Sequence, residues 1–280
     1  MMATTTLMIG GDLEAYRLGF GAMRITGDGI WGEPSDEDAA RELLRRIVQT
    51  DVNMIDTADS YGPEVSERLI AEALHPYPDN LMIATKGGLT RPGPDRWERN
   101  CRPDRLKRCC EDSLRRLKLE RIDLYQLHAV DPKVPIEDSV GALAELQDEG
   151  KIRQVGVCNV DVEQLERAQQ IVPIVSVQNR YNVADRESED VLRACEESGL
   201  AFLPWAPLGG LRSLAQPGGP LEEAARDHGA TPGQVALAWL LHHSRVIVPI
   251  PGTSSIAHFE ENLEAVELEL DQEELDALEA

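Results

Sequence analysis

Five polar residues each come at or just after the end of a short apolar run, and a tyrosine lies a few residues beyond the first of them. They are Asp56, Lys86, His128, Asn159 and Gln178, with Tyr61 in the segment after Asp56. If the apolar runs are parallel strands of one barrel, the residues at their carboxyl ends meet on the same face. These six side chains are therefore expected to converge on one site, although they are scattered along the chain.

Four of these residues together would make a device for donating a proton. Reduction of a carbonyl group by hydride needs an acid that protonates the developing alkoxide. A phenol has a pKa of about 10 and is too weak an acid by itself, but a neighbouring ammonium group favours the phenolate and is expected to lower the pKa of Tyr61. Lys86 would supply that ammonium and Asp56 would keep it charged. A neutral His128 would orient the substrate oxygen.

Each of the four residues also has a purely structural interpretation. An aspartate after a strand is often a cap or turn residue, and a tyrosine in a loop is usually at the surface. A lysine at a strand end is usually solvated, and a histidine there often bonds only to backbone. The catalytic interpretation depends on all four residues meeting at one face.

The elements that would position these residues alternate along the chain. Amphipathic stretches with apolar residues at the helical period separate short apolar runs, and the first helix is expected to begin at Ser35, with Asp38 completing a capping box. Eight runs are candidate strands, namely residues 18–21, 52–55, 81–85, 122–127, 152–157, 174–177, 200–203 and 246–249. Strands that alternate with helices indicate a parallel sheet. Because no Gly-x-Gly-x-x-Gly motif joins a strand to a helix, a closed barrel is favoured over an open dinucleotide-binding sheet.

The sequence therefore predicts one α/β domain over residues 1–280, a (β/α)8 TIM barrel. Residues 4–16, with a Gly10-Gly11-Asp12 turn, are expected to form an N-terminal β-hairpin at the bottom of the barrel. Residues 205–230 are expected to form a long βα loop, and residues 253–280 to form C-terminal helices.

Composition argues against several classes of partner and site. The chain has 28 Lys and Arg against 50 Asp and Glu, a net charge of -22, so neither nucleic acid nor an anionic membrane surface is expected as a partner. No apolar run is as long as a membrane span and the N-terminus lacks a secretory signal pattern, which predicts a cytoplasmic protein. Five cysteines without Cys-x-x-Cys spacing indicate neither a disulfide framework nor a thiolate metal site, and no metal is expected.

Several separated segments resemble one known family. Residues 53–62, Asn-Met-Ile-Asp-Thr-Ala-Asp-Ser-Tyr-Gly, are similar to the Asp-Thr-Ala-x-x-Tyr-Gly signature of the aldo-keto reductase superfamily. Matching segments follow in the family's order at residues 85–86, 124–128, 156–159, 177–182, 205–209 and 250–253. The resemblance runs from about residue 18 to 263 and covers nearly the whole chain.

The resemblance implies an NAD(P)H-dependent reductase of an aldehyde or ketone, in which Tyr61 is the general acid and Asp56, Lys86 and His128 complete a tetrad. It also implies a set of residues around the cofactor. These are Met23, Arg24, Asp56, Asn159, Gln178, Trp205, Ala206, Pro207, Leu208, Gly210, Arg212, Gly252, Thr253, Ser254, Ser255, His258, Glu261 and Asn262. Within this set, Asn159 and Gln178 would hold the nicotinamide carboxamide, and Trp205 would stack on the ring.

The adenosine end departs from the best-known pattern of the family. Gly252 and His258 stand where well-characterised NADPH-dependent members have a lysine and an arginine near the 2′-phosphate. The hydroxyl residues 253–255 at a helix N-terminus can still cradle a phosphate, whereas the lack of a guanidinium weakens discrimination between the cofactors. Arg212 would supply a replacement charge or be solvated. The resemblance favours NADPH, with NADH as the alternative.

The substrate is the least constrained part of the prediction. The first βα loop, residues 23–32, is placed to line the pocket; Trp31 and Trp97 are expected to form its walls beside Tyr61 and His128, or to be buried for packing. A similarity to bacterial pyridoxal reductases makes pyridoxal a concrete candidate, and a larger alicyclic or aromatic ketone is the alternative. A non-catalytic cofactor-binding subunit and an isomerase or hydrolase on the same barrel remain as other classes. We expect a monomer or a weak homo-oligomer.

Overall fold

The chain begins with a hairpin at one end of the molecule. The computed structural model describes residues 5–209 and 218–279. Strands β1 (Thr6–Ile9) and β2 (Leu13–Tyr16) pair antiparallel. Gly10 and Gly11 form the turn with φ of 62° and 79°, a left-handed conformation that glycine adopts without steric cost.

Seven strands form one parallel sheet within the described ranges. In order of hydrogen-bonded neighbours they are β3 (Phe20–Gly21), β4 (Met54–Asp56), β5 (Met82–Gly87), β8 (Ile122–Leu127), β9 (Ile152–Cys158), β10 (Ile174–Gln178) and β11 (Ala201–Phe202). A separate antiparallel hairpin, β6 (Leu89–Gly93) and β7 (Arg96–Arg99), is inserted after β5. The parallel order agrees with the predicted alternation of strands and helices.

The eighth candidate strand, residues 246–249, closes the sheet into a barrel without forming a regular strand. Phe202 N donates to Val246 O at 2.8 Å and Val248 N donates to Phe202 O at 2.9 Å. On its other side, Gly19 N donates to Pro249 O at 2.9 Å. Proline has no N–H for a strand ladder, which explains why this segment is irregular. The predicted (β/α)8 barrel is confirmed, although the expectation of eight regular strands was wrong here.

Helices follow the strands and cover the outside of the barrel. They are α1 (Glu37–Ile47), α2 (Val65–Leu74), α3 (Pro103–Leu117), α4 (Ile136–Asp148), α5 (Val162–Gln169), α6 (Glu189–Ser198), α7 (Pro220–Asp227), α8 (Pro232–His243), α9 (Ile256–Glu264) and α10 (Gln272–Glu279). No helix among the described residues has the length and apolar character needed to span a membrane.

Two local predictions differ from the structure. Helix α1 begins at Glu37 and its cap is Asp36, whose carboxylate accepts from Ala39 N at 2.9 Å; the predicted Ser35 cap was wrong because Asp36 already satisfies the helix N-terminus. The range predicted as a long loop, 205–230, contains helix α7.

The hairpin packs over the amino ends of the barrel strands. Its Ile9 and Leu13 belong to the same buried cluster as Met54, Leu124 and Val248 from the barrel. The Asp12 carboxylate accepts hydrogen bonds from the side chains of Arg153 and Gln154, at 2.8 and 2.7 Å. Both residues lie near the amino end of β9, so the hairpin covers the barrel floor and leaves the opposite face to the strand ends that carry the polar residues.

Candidate active site

Neighbouring strands bring the four predicted catalytic residues to the carboxyl face of the barrel. Asp56 is the last residue of β4 and Lys86 is near the end of β5, while His128 directly follows β8. Tyr61 lies in the turn after β4. All four are buried, with exposed fractions between 0 and 7 %. We call these four residues the tyrosine cluster.

Lys86 is the centre of this cluster. Its Nζ donates to Asp56 Oδ2 at 2.6 Å, to Thr57 O at 2.9 Å and to Tyr61 Oη at 3.2 Å. A lysine ammonium has three hydrogens, so the three bonds fix its position completely. Burial opposes the charge on Lys86, but the Asp56 carboxylate outweighs it and the pKa of Lys86 is raised. The ammonium is therefore permanently charged.

Two glutamines hold the other oxygen of the aspartate. Asp56 Oδ1 accepts from Gln178 Nε2 at 2.9 Å and from Gln126 Nε2 at 3.2 Å. Both glutamines are buried in β10 and β8. Sequence reasoning included Gln178 but missed Gln126, because Gln126 lies within an apolar run rather than after it. The two glutamine donors on Oδ1 fix the carboxylate so that its Oδ2 faces Lys86.

The pKa of Tyr61 differs from the expectation that its lysine neighbour lowers it. Burial raises the pKa of Tyr61 to about 12, and the Asp56 charge adds to this, while the Lys86 ammonium acts in the opposite direction. The expectation was wrong because burial destabilises the phenolate more than the neighbouring ammonium stabilises it. The phenol is therefore a protonated donor across the physiological pH range.

His128 lies against the tyrosine in an uncharged form. Burial, reinforced by the Lys86 charge, holds the pKa of His128 well below its usual value. Its ring packs edge-on to the Tyr61 ring with centroids 5.7 Å apart, and its Nδ1 lies 3.4 Å from Ser60 Oγ. A neutral imidazole has one N–H donor and one acceptor nitrogen. It can bond a substrate oxygen without competing for the proton.

Of the two tryptophans predicted to form pocket walls, the structure brings one to the tyrosine cluster. Trp97, in β7, lies edge-on to Tyr61 and His128 with centroid distances of 6.4 and 6.3 Å, and is 37 % exposed. Trp31 is half-buried and pairs through its backbone with Gly62. A partly open aromatic face beside two buried polar groups is suited to a flat apolar substrate.

The residues predicted at the nicotinamide end adjoin the cluster. Asn159 Oδ1 accepts from Trp205 Nε1 at 2.9 Å, and its Nδ2 donates to His128 O at 3.0 Å. Asn159 has a φ of 56°, a left-handed conformation in which asparagine is enriched among non-glycine residues. Trp205 is half-buried and Ala206 follows it, with Ala206 O accepting from Asn182 Nδ2. Hydrogen bonds thus connect Asn159 to both Trp205 and His128.

Pro207 and Leu208 continue this segment, the former buried and the latter half-buried. Gly209 N donates back to Ala206 O at 2.8 Å, which closes a tight turn. Two other predicted cofactor residues, Gly210 and Arg212, lie outside the described residues.

A cleft of about 660 Å³ opens on the same face and contains the predicted adenosine-end residues Met23, Arg24, Gly252, Thr253 and Ser254. Its other wall is the first βα loop, residues 26–30, which had been expected to line the substrate pocket. The backbone after β3 turns toward residues 252–254, so these loop residues border the cleft, and their contact with a substrate stays a prediction.

Four further predicted residues do not line this cleft. Ser255 caps helix α9 through His258 N, and Asn262 is buried. Glu261 accepts from the Thr231 hydroxyl at 2.7 Å and so contributes to the start of helix α8. The structure places His258, Glu261 and Asn262 on or within α9 rather than at the cleft surface.

No group of three or more His, Cys, Asp or Glu in the described ranges is arranged to hold a metal ion. The five cysteines are buried free thiols.

The comparisons with known proteins agree with this geometry. A model of the aldo/keto reductase family matches residues 17–280. A Schizosaccharomyces pombe protein described as an uncharacterised oxidoreductase is 49% identical over 263 residues, which is 94% of this chain and 85% of the relative. Pyridoxine 4-dehydrogenase of Escherichia coli (strain K12) is 41% identical over 283 residues, 99% of this chain and 98% of the relative.

A solved structure extends the likeness to the fold. The aldo-keto reductase of Klebsiella pneumoniae, crystallised in complex with NADPH, superposes with a TM-score of 0.84 at 27% identity and covers 99% of this chain and 94% of that one. The sequence resemblance to the superfamily is therefore confirmed over nearly the full length, and the oxidoreductase class with it. The chain belongs to the aldo/keto reductase family.

Proposed function

We propose that this protein is an NADPH-dependent carbonyl reductase in which Tyr61 protonates the oxygen of a bound aldehyde or ketone. The observation that carries the proposal is the hydrogen bond from Lys86 Nζ to Tyr61 Oη, at 3.2 Å, within a cluster that is almost fully removed from water. When bound, the reduced nicotinamide supplies a hydride to the carbonyl carbon. Every other part of the step belongs to the side chains described above.

The tyrosine cluster keeps the phenol of Tyr61 protonated until negative charge develops on the substrate oxygen. In its resting state the pKa of about 12 keeps Tyr61 protonated. As negative charge develops on the substrate oxygen, the phenol hydrogen moves to it, and the Lys86 ammonium stabilises the phenolate that remains. The neutral His128 donates one hydrogen bond to the same oxygen and so fixes the carbonyl in line with Tyr61.

The residues around the cleft fit a dinucleotide phosphate. Arg24 makes no ion pair with any residue that the structure describes and lies on the same wall of the cleft as residues 252–254. Helix α9 starts beside this wall and its free amides favour an anion. Asn159, Gln178 and Trp205 would hold the nicotinamide end. The NADPH complex of the Klebsiella pneumoniae relative supports this choice of cofactor.

Pyridoxal is the substrate that we propose, with pyridoxine as the product. The Escherichia coli relative named pyridoxine 4-dehydrogenase matches over almost the full length of both chains. A flat aromatic aldehyde also suits the space beside Trp97, whose ring lies edge-on to the reacting groups.

The test is the Tyr61→Phe variant, which removes one hydroxyl and keeps the ring. We expect kcat to fall about 10³-fold, the size of a general-acid effect, while NADPH still quenches tryptophan fluorescence with an unchanged Kd. The assay follows NADPH absorbance with pyridoxal, an aromatic aldehyde and a bulky ketone, and is repeated with NADH.

The control is Tyr77→Phe, which removes a half-buried phenol hydroxyl that bonds only Leu117 O, far from the cluster in the fold. It should keep full turnover. Normal rates in Tyr61→Phe would refute the proposed mechanism. NADPH binding with no oxidation by any carbonyl would instead favour a non-catalytic cofactor-binding subunit.

A further inference from the structure

A buried arginine in the inserted hairpin joins three separate loops around the tyrosine cluster. Arg91, in β6, is 8 % exposed. Its guanidinium donates to Arg96 O at 2.9 Å, Ile30 O at 2.8 Å, Gly29 O at 2.8 Å and Ser60 O at 3.2 Å. These carbonyls belong to the hairpin, the first βα loop and the turn that carries Tyr61. Arg91 forms no ion pair with the described part of the chain.

The first loop needs this support because its backbone is strained. Ile30 has a φ of 53°, and for a β-branched residue such a conformation is a true outlier. Gly29, next to it, has a φ of 66°, and its carbonyl also accepts from Asp95 N at 3.1 Å in the hairpin turn. The carbonyls of the strained Ile30 and of its neighbour Gly29 are therefore held by the hairpin, chiefly through Arg91.

The same guanidinium covers one face of the pocket wall. Its central carbon lies 3.7 Å from the ring centre of Trp97 and 5.8 Å from that of Trp31. A cation at this distance attracts the indole face. Trp97 in turn lies edge-on to Tyr61 and His128. A continuous set of contacts thus runs from the strained loop through Arg91 to the reacting groups.

We propose that Arg91 is a positioning residue that holds Trp97 over the reacting groups and thereby sets a preference for flat aromatic carbonyl substrates. The inference rests on the carbonyl reduction proposed above. A small aliphatic aldehyde needs only Tyr61 and His128, whereas a ring needs the wall as well. Arg91 consequently acts on the substrate through Trp97 and does not touch the reacting atoms.

Lysine is a poor replacement at this position. An ammonium is a point charge on a flexible chain, whereas the planar guanidinium offers five donors in a rigid fork and stacks on an aromatic face. Four carbonyls in three loops cannot be bonded by three hydrogens on one nitrogen. Charge alone therefore does not preserve the arrangement.

The kinetic test compares Arg91→Lys and Arg91→Gln with the unaltered protein, using benzaldehyde, pyridoxal and propionaldehyde as substrates. We expect kcat/KM for the two aromatic aldehydes to fall about 10²-fold, the effect of misplacing a contact by about 1 Å. With NADPH at saturating concentration, the fall for propionaldehyde should stay within about threefold. Arg91→Lys keeps the charge, so it remains informative if Arg91→Gln does not fold.

A second readout does not depend on turnover. Acrylamide quenching is measured with Arg91→Lys, the unaltered protein, and a Trp97→Phe version of each, so that the contribution of Trp97 is obtained by difference. We expect Trp97 to be quenched more strongly in Arg91→Lys, since its covered face becomes accessible.

Arg105→Gln is the matched control. Arg105 also donates to the same hairpin, to Leu89 O at 2.9 Å, but at the end away from Trp97; it should alter neither the aldehyde preference nor the quenching. Equal losses for aromatic and aliphatic aldehydes, or unchanged quenching of Trp97, would overturn the inference. If the unaltered protein reduces no carbonyl, the proposed function fails, and the quenching difference still decides the role of Arg91.

Discussion

Two buried cations, one at each end of the barrel, differ in what they are bonded to. At the carboxyl face of the barrel, which we call the mouth, Lys86 is bonded to the Asp56 carboxylate, and the pKa of Lys86 is raised in spite of burial. At the floor, Arg17 is 2 % exposed and is bonded only to backbone carbonyls; burial, with Arg245 nearby, lowers the pKa of Arg17 to about 10. The opposite directions follow from the partner, because a carboxylate offsets the loss of water and a carbonyl does so only in part.

The floor cation closes the fold, whereas the mouth cation holds a reactive group. Arg17 donates to Leu241 O, Ser244 O and Ile247 O at 2.9, 2.6 and 3.2 Å. These carbonyls lie at the end of helix α8 and in the segment that closes the barrel. Lys86 spends one of its three hydrogens on Tyr61. Each is a buried cation held by three hydrogen bonds, and it serves stability at one end of the barrel and chemistry at the other.

The largest effect is expected when the mouth loses its cation. Lys86→Met leaves the Asp56 carboxylate buried without its counter-charge, which should lower the free energy of unfolding by about 3–5 kcal/mol. Urea denaturation measures it. The double variant Lys86→Met/Asp56→Asn removes both charges and should recover most of the loss. Failure of the double variant to recover stability would show that the ion pair is not what stabilises the mouth.

A smaller loss is expected at the floor. Arg17→Met leaves three buried carbonyls without their donor, which should lower the free energy of unfolding by about 3 kcal/mol. Turnover per folded molecule should be unchanged, in contrast to Lys86→Met. Arg45→Met, an exposed arginine of helix α1, is the control for loss of a positive charge. A fall in kcat for Arg17→Met would contradict the division between floor and mouth.

The smallest effect concerns acidification. The pKa of His128 in the folded protein lies well below its ordinary value of 6.5. Below pH 6.5 the unfolded chain therefore binds a proton at His128, whereas the folded chain keeps this residue neutral. This contribution to stability is fully present above pH 6.5 and is lost as the pH falls, by about 1.4 kcal/mol per unit. Urea denaturation at several pH values between 7 and 5 should show a shallower dependence for His128→Asn.

Arg17→Met serves as the comparison in the same titration, because it changes a group that does not titrate in this range. It should keep the pH dependence of the unaltered protein. Identical slopes for His128→Asn and the unaltered protein would show that the mouth holds its histidine less strictly neutral than its burial indicates.

Local sequence signals predicted most of the fold and the position of the tyrosine cluster. The predicted strand 122–127 has the same bounds as the observed β8, and helix α3 begins at Pro103 as predicted. The rule that strand ends share a face was enough to group Asp56, Lys86 and His128. Prediction failed where two local signals competed, as at Asp36, and where proline interrupts the closing segment.

What the sequence determined by itself was the order of elements, the barrel and the four residues gathered at its mouth, because periodicity and polar residues at strand ends are local properties of the chain. Only the tertiary structure decided that the phenol of Tyr61 is a weaker acid than usual, that Gln126 bonds Asp56, and that Arg91 joins three loops at Trp97. Burial, hydrogen-bond partners and stacked faces depend on residues far apart in the chain. No pattern of spacing carries that information.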